Sequence, residues 1–259
     1  LPLLMRLYEA GTRRDLVASV RDEGLWRYDL AGHSAGSEAR REFRIIERAE
    51  GGAPVGFLGH APFLWSAVLA VHLYELAPGV SWLAPTPSVL RYLLATGEEY
   101  AARDGKEFGA FTFMLGTAHP VYDAIADRLP RERRPYAYYL RVPDLPGFVR
   151  HVAPALERRL AASPLAGHTG EITISFYRDG LRLAFDGGRL AAAEAWRPTV
   201  EDGGAAAFPE LTFLQLLFGY RGLRELQHAF ADCMVEADEP RALLGTLFPK
   251  AASDVWPVS

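Results

Sequence analysis

The sequence contains very little cysteine, and it lacks the common short motifs of metal and nucleotide sites. Cys233 is the single cysteine in 259 residues, so no disulfide can form within the chain. A reducing cytoplasm is therefore the expected compartment. Neither G-x-G-x-x-G nor G-x-x-x-x-G-K-[ST] occurs, and no pair of histidines stands four residues apart around a glutamate. Because these motifs are absent, the sequence gives no support to a dinucleotide site or a P-loop, and no metal site is expected.

Positive charge and long apolar runs are also scarce. The chain has 28 basic against 32 acidic residues, a net charge of −4, so a basic surface for nucleic acid is not expected. Residues 51–74 contain no Asp, Glu, Lys or Arg, but glycines and prolines interrupt them before they reach the ~18–20 apolar residues of a membrane helix. Neither nucleic acid nor a membrane is therefore expected as a partner. This stretch is predicted to form buried strands.

The overall composition is that of a globular protein with a large core. Apolar residues make up 49% of the chain and charged residues 23%, and 259 residues suffice for two domains of ordinary size. The chain opens with Leu1-Pro2, without an initiator methionine or a basic-then-apolar signal pattern. We therefore expect a fragment of a longer protein.

The clearest structural pattern lies between Gly170 and Leu190. Apolar residues occupy every second position of 172–176 and 181–185, which is the period of a strand with one face on a core. An Asp-Gly pair and a Gly-Gly pair supply the turns. The pattern predicts a three-stranded antiparallel meander, and the flanking segments 144–162 and 208–248 are predicted to be helices that cover it.

The first half of the chain predicts a mixture of helices and strands. Three prolines and several charged residues between 130 and 143 mark a domain boundary, which places one domain at 1–135 and the other at 136–259. The expected fold class is α+β. The predicted helices of the first domain are 3–11, 15–30, 86–104 and 119–129, and its predicted strands are 43–48, 55–59, 65–76 and 108–115.

One serine lies in a short segment that matches the sequence motif of a catalytic nucleophile. Gly32-His-Ser34-Ala-Gly36 matches G-x-S-x-G, but that chemistry requires a strand directly before the serine and a helix directly after it. A predicted helix precedes this serine and a polar loop follows it. A loop of small residues is therefore the favoured interpretation.

Several blocks of sequence resemble known domains. YELAPGVSWLAPTPSVLRYLLATGEEYA and FTFMLGTAHPVYDAI, in the order of elements between 43 and 129, resemble the GNAT acyltransferase fold. GEITISFYRDGLRLAFDGGRL, FPELTFLQLLFGY and PRALLGTLFP resemble a sterol-carrier-like domain. Together they resemble the enhanced-intracellular-survival family of N-acetyltransferases, whose members carry two GNAT domains followed by a sterol-carrier-like domain. The resemblance implies a GNAT-like mixed sheet with flanking helices, followed by a sterol-carrier-like antiparallel sheet covered by helices.

The resemblance implies that the full-length protein moves an acetyl group from acetyl-CoA to a primary amine, as a homo-oligomer. A working GNAT cofactor loop has an Arg/Gln-x-x-Gly-x-Gly/Ala pattern, whose backbone amides reach the pyrophosphate. Here residues 82–88 contain no glycine, and Pro85 and Pro87 each remove a donor. This chain is therefore not expected to bind acetyl-CoA. It corresponds to the family's second, non-catalytic GNAT domain with the C-terminal domain, and the catalytic GNAT domain is expected to be missing.

Two sets of site residues follow from the resemblance. The terminal carboxylate of Ser259 is the candidate catalytic group, because the end of the chain can sit beside the active site in this family. The alternative is an apolar-ligand binding module, in which large apolar side chains either line a tunnel or fill the core completely. A purely structural assembly domain is a third possibility. The candidate pocket residues are Phe176, Phe185, Phe213, Leu217 and Phe230.

Overall fold

The computed structural model describes residues 1–133, 139–209 and 211–255. Helices and mixed sheets occur in both halves of the chain, so the predicted α+β class is confirmed. Among the described residues, none of the helices combines the length and the apolar character needed to cross a membrane.

The described residues form two compact units, because the chain divides after Pro135 and again after Ala251. The residues before the first division and after the second belong to one unit, and those between belong to the other. The sequence predicts a single domain over all of 136–259. The structure instead groups the described residues from Ala252 onward with the first unit.

The described α-helices of the first unit are α1 (Pro2–Thr12), α2 (Glu23–Ala31), α3 (Thr86–Asp104) and α4 (Val121–Ala124), and its described strands are β1 (Glu42–Glu47), β2 (Pro54–Trp65), β3 (Val68–Leu76) and β4 (Ala110–Phe113). The four strands form one sheet with the order β1-β2-β3-β4. Strands β1, β2 and β3 are antiparallel, whereas β4 runs parallel to β3. The parallel ladder ends where Val71 faces Phe113.

Helix α3 covers one face of this sheet. Val89, Leu93 and Tyr100 lie at helical spacing and are buried against apolar side chains of β2 and β3. The helix ends at Gly105, whose φ of 62° lies in the left-handed region that glycine adopts without a Cβ penalty. Residues of α1 and α2 pack with the sheet in a separate cluster around Trp26, which is fully buried.

The predicted helix over 15–30 was wrong in its first half. The structure has helix only from Glu23, because the Asp22 side chain accepts a hydrogen bond from the Leu25 N–H and caps the helix there. Residues 13–22 form turns and a single β-bridge instead. The apolar spacing that predicted a helix in this segment also fits a non-helical segment that is held in place by contacts with distant parts of the chain.

The predicted strands 55–59 and 65–76 were wrong about where the chain turns. Strand β2 continues through Pro62 to Trp65, and the turn falls at Ser66, whose φ is 54°. The pairing between β2 and β3 shifts register between His60 and Leu64. Such an irregularity accommodates a proline that cannot donate to the ladder.

The elements of the second unit are α5 (Leu145–Ala161), β5 (Gly170–Ser175), β6 (Gly180–Asp186), β7 (Arg189–Trp196), β8 (Ala206–Ala207), α6 (Thr212–Leu217), α7 (Leu223–Ala229), β9 (Met234–Val235) and α8 (Asp238–Leu247). Its five strands form one sheet with the order β7-β6-β5-β8-β9. Helix α5 runs without a break through Pro154, although an interior proline removes a helix hydrogen bond.

The antiparallel meander is confirmed as β5, β6 and β7. Ile174 faces Leu181 in the ladder, and both side chains are buried in the core of the unit. Gly187 and Gly188 make the second turn with positive φ. The connection between β5 and β6 is longer than the predicted Asp-Gly turn. It consists of residues 176–179, and the Phe176 N–H donates to the Asp179 carbonyl oxygen to close it. The sheet is not antiparallel throughout, since β8 adds to β5 in the parallel direction.

Candidate functional site

The start of α3 is the first candidate site, because the sequence resemblance aligns it with a cofactor loop. Pro85 is the N-cap, with φ −82° and ψ −25°, and neither Pro85 nor Pro87 has an N–H to donate. The Ser88 N–H donates to the Pro85 carbonyl oxygen at 2.9 Å. A helix normally offers four amides at its start, of which those at Pro85, Pro87 and Ser88 are missing or used here. This helix start is therefore poorly equipped to bind a phosphate.

The edge of β3 beyond the parallel ladder is occupied by His119. Its Nε2 lies 2.7 Å from the Tyr74 carbonyl oxygen, so Nε2–H is the donor in this bond. Its Nδ1 then accepts from the Val121 N–H at 3.2 Å, which fixes the tautomer. The residue is 2% exposed, and burial lowers the pKa of His119 to about 3. His119 is therefore neutral and has both ring nitrogens engaged.

Aromatic side chains surround His119 and the start of α3. The Trp82 ring lies edge-on to the His119 ring at 4.8 Å between centroids, and edge-on to the Tyr74 ring at 5.0 Å. The Tyr74 hydroxyl lies 3.0 Å from Thr86 Oγ1, which donates to the Trp82 carbonyl oxygen at 2.5 Å. Burial raises the pKa of Tyr74 to about 12. These contacts join the loop before α3 to the edge of β3 in one packed cluster, which we call the aromatic plug (Tyr74, Trp82, Phe113, His119 and Tyr122).

Comparison with known proteins identifies the fold. No protein-family model matches the sequence, and no curated protein matches it either. The solved structures that match include a GCN5-related N-acetyltransferase from Anabaena variabilis ATCC 29413. That match covers 100% of this chain and 59% of the other chain, at 13% identity and a TM-score of 0.52. The chain has a GNAT-type fold.

A second solved structure, a probable acetyltransferase, matches 55% of this chain and 89% of its own length at 14% identity, with a TM-score of 0.34. The chain spans 59% of the length of the Anabaena protein. In the GNAT-type fold of this chain, the loop between β3 and α3 contributes Trp82 to the aromatic plug.

His60 and Tyr92 form a second polar contact within the first unit. The His60 ring is fully buried, and its Nδ1–H donates to the Ala61 carbonyl oxygen at 2.8 Å. Its Nε2 therefore accepts from the Tyr92 hydroxyl, also at 2.8 Å. Burial lowers the pKa of His60, so the ring is a neutral acceptor. This pair joins β2 to α3, and nothing in the local sequence around either residue indicates it.

A buried ion pair joins the segment after α1 to the end of β3. Arg14 donates through both terminal nitrogens to the carboxylate of Glu75, whose side chain is 6% exposed. Burial raises the pKa of Glu75, and the hydrogen bonds from Arg14 oppose that shift. Asp15 lies beside the pair, with its nearest oxygen 3.9 Å from Arg14 Nε. No sequence motif indicates this cluster, because Glu75 lies far from Arg14 and Asp15 in the chain.

The five candidate pocket residues lie in the second unit. Phe185, Phe213 and Leu217 are buried in its core, and Phe176 and Phe230 are partly buried against that core. The Phe213 ring contacts the rings of Phe176, Phe208 and Phe248 at centroid distances between 5.3 and 5.7 Å. The contacts are those of side chains packed into a core.

Ser259, the candidate catalytic carboxylate, lies outside the described residues. The chain just before it, Ala252–Asp254, lies on the first unit next to residues 16–18. No group of three or more His, Cys, Asp or Glu side chains within 1–133, 139–209 and 211–255 is placed to hold a metal ion. Gly32–Gly36 forms turns between α2 and β1, without the strand that a nucleophile elbow requires.

Proposed function

We propose that this chain is the non-catalytic portion of an acetyl-CoA-dependent N-acetyltransferase. In this proposal residues 1–135 form a GNAT-like domain that does not bind the cofactor, and residues 136–251 form a sterol-carrier-like domain. A separate GNAT domain of the longer, homo-oligomeric protein binds acetyl-CoA and transfers the acetyl group to a primary amine. The end of the chain, Ser259, supplies a carboxylate beside that active site.

The observation that carries the proposal is the start of α3. A GNAT domain that binds acetyl-CoA needs amides there for the pyrophosphate. In this chain two of the positions are proline and a third amide is bonded to Pro85. The aromatic plug occupies the adjoining edge of β3, with both nitrogens of His119 engaged. Both features remove groups that a cofactor would use.

The GNAT-type fold of the whole chain supports the remainder of the proposal. The chain spans only 59% of a GCN5-related N-acetyltransferase of the same fold, which leaves room in a longer protein for a separate catalytic domain. Direct attack of the amine on the thioester then needs a base for the amine and an acid for the departing thiolate. The His60 ring and the Glu75 carboxylate are already engaged by Tyr92 and by Arg14, so neither pair is assigned these roles.

Acetyl transfer by the longer protein tests this proposal. The protein encoded by the complete coding sequence is assayed with acetyl-CoA and a panel of primary amines, and this 259-residue chain is assayed in parallel. We expect thiol release from the longer protein alone. Turnover by the isolated chain, or a coding sequence that begins at Leu1 and so supplies no further GNAT domain, would contradict the proposal.

The alternative function, binding of an apolar ligand, receives less support from the second unit. Phe213 is fully buried and contacts three other aromatic rings, so the candidate pocket residues largely occupy one another's space. A fatty-acid or sterol probe that binds the chain and loses affinity on Phe213→Ala substitution would restore this alternative.

A further inference from the structure

The last described residues of the chain form a strap on the first unit, which we define as Ala252–Val255. The Leu16 N–H donates to the Ala252 carbonyl oxygen at 2.7 Å. The Asp254 N–H donates to the Val17 carbonyl oxygen at 3.0 Å, and Asp254 forms a lone parallel bridge with Ala18. The strap is thus attached through an isolated bridge rather than through a ladder of a sheet, and such an attachment can open without disrupting the fold around it.

Asp254 also packs against the loop that carries His119. A Cβ atom added to Gly116 would lie 2.9 Å from both Cβ and Cγ of Asp254, closer than real side chains approach. Gly116 has a φ of 76°, a further reason for glycine there. The strap therefore lies directly on the loop Leu115–His119. Through that loop it adjoins the aromatic plug.

The carboxyl group of Asp254 interacts electrostatically with acidic and basic side chains of the first unit, among them Asp15 and Glu75. Asp15 and Glu75 have side chains that are 5% and 6% exposed, and Arg14 is the cation that contacts both. The positive charge of Arg21 lowers the pKa of Asp254, but the Arg21 side chain itself donates to the carboxylate of Asp29. The titratable and charged groups that face Asp254 from the surrounding elements are Tyr8, Arg14, Asp15, Arg21, Glu75 and Tyr122.

We propose that the strap is a pH-sensitive latch, which holds the first unit tightly when Asp254 is protonated and loosens when Asp254 ionises beside Asp15 and Glu75. A neutral carboxyl group can remain half-buried at this position without repelling the two neighbouring carboxylates. The ionised group is repelled by them and favours water, so ionisation weakens the two backbone hydrogen bonds that attach the strap. Loosening exposes the loop that places His119 on Tyr74.

The direction of the pH dependence follows from the surroundings of Asp254. Burial and, to a smaller extent, the neighbouring Asp15 raise the pKa of Asp254 from 3.8 to about 6, although Arg14 and Arg21 oppose the shift. An acid whose pKa is raised in the docked state binds its proton more tightly there. Docking is therefore strongest below pH ~4, weakens between pH ~4 and ~6, and stays weak above that range. A two-unit difference corresponds to at most about a hundredfold in the docking constant, and solvent screening of the partly exposed group reduces this to about tenfold.

Hydrogen exchange of two amides on the full chain measures docking directly. The Leu16 and Asp254 amides are the donors of the strap bonds, and their protection, corrected for the intrinsic effect of pH on exchange, is compared at pH 4.5 and pH 7. We expect protection to fall about tenfold over this range in the unsubstituted chain. In Asp254→Asn, which keeps the side-chain size, the fall should shrink to about twofold or less. Asp104→Asn, which removes an exposed carboxylate of the same unit that pairs with Arg103, should behave like the unsubstituted chain.

A titration of the Asp254 carboxyl carbon by NMR keeps the proposal testable if Asp254→Asn fails to fold. We expect a midpoint raised clearly above 3.8 toward 6 in the unsubstituted chain and a lower midpoint in Asp15→Asn, where one repelling carboxylate is gone. A midpoint near the ordinary value of 3.8, or equal falls in protection in the unsubstituted chain and Asp254→Asn, would overturn the proposal.

Discussion

The Nε2 atom of His119 lies 2.7 Å from the carbonyl oxygen of Tyr74, just beyond the point where β3 loses its parallel partner. A carbonyl group at an open strand edge needs a donor, and this histidine supplies one from a loop that follows β4. The same ring contacts Trp82 from the loop before α3. One buried side chain therefore closes the part of the GNAT-type sheet at which the sequence resemblance expects a cofactor.

Removing His119 should destabilise the first unit. His119→Ala leaves the Tyr74 carbonyl and the Val121 amide without their partner and opens a cavity, so we expect a loss of about 2–4 kcal/mol in the free energy of unfolding. Urea denaturation followed by circular dichroism measures it. His151, exposed on α5, provides the matched control, and His151→Ala should change the stability by less than about 0.5 kcal/mol. Equal losses in the two variants would show that the His119 contacts contribute nothing.

The same histidine predicts how stability depends on pH. Burial lowers the pKa of His119 from 6.5 to about 3, so the unfolded chain binds a proton more readily than the folded chain does. The resulting contribution to stability is fully present above pH ~6.5 and is lost as the pH falls toward 3. We expect the unfolding free energy to fall between pH 7 and pH 5 by a larger amount in the unsubstituted chain than in His119→Gln. An identical fall in both chains would contradict a buried neutral imidazole at this position.

The ion pair of Arg14 with Glu75 gives a third prediction. Arg14→Met leaves the Glu75 carboxylate buried and unpaired, so we expect a loss of about 3–5 kcal/mol at neutral pH. Arg182→Met, in the exposed ion pairs of β6 with Glu171 and Glu194, should cost less than about 1 kcal/mol. Chemical denaturation of both variants at pH 7 measures the two losses in the free energy of unfolding. The double variant Arg14→Met with Glu75→Leu should recover much of the loss, since it removes both charges.

Gly187 provides a prediction about the meander. Its φ is 56° and a Cβ atom there would meet no neighbour, so a substitution tests backbone strain alone. Gly187→Ala should cost about 1 kcal/mol, and Gly187→Asn should cost less because asparagine tolerates the left-handed region better. Gly36→Ala, in a loop where a Cβ is also free of contacts and φ is not positive, should be nearly neutral. Thermal unfolding of these variants would refute the assignment of the turn if Gly36→Ala proved the more damaging.

Regular local patterns were predictable from the sequence. The alternation of apolar residues around Ile174 and Leu183 and the Gly187-Gly188 pair predicted the meander, because a strand period and a turn are properties of neighbouring residues. The helix predicted over 86–104 is likewise confirmed as α3. The short strands β8 and β9, two residues each, were not predicted, since they exist only through pairing with β5 and with each other.

The candidate site was predictable only in part. Pro85 and Pro87 are visible in the sequence, and they predicted a helix start that lacks amide donors. The bond from His119 to Tyr74 and the bridge between Ala18 and Asp254 join residues distant in the chain, so no periodicity or spacing indicates them. The first half of the helix predicted over 15–30 was wrong for the same reason, because the Leu16 amide and the Val17 carbonyl form hydrogen bonds with Ala252 and Asp254 instead of helix bonds.

Calorimetric titration of the 259-residue chain with acetyl-CoA tests the central claim most directly. An N-acetyltransferase with a glycine-containing cofactor loop, titrated under the same conditions, provides the positive control. With Pro85, Pro87 and Ser88 offering no amide to a pyrophosphate, we predict no saturable heat from this chain. Saturable binding with a micromolar dissociation constant would contradict the account.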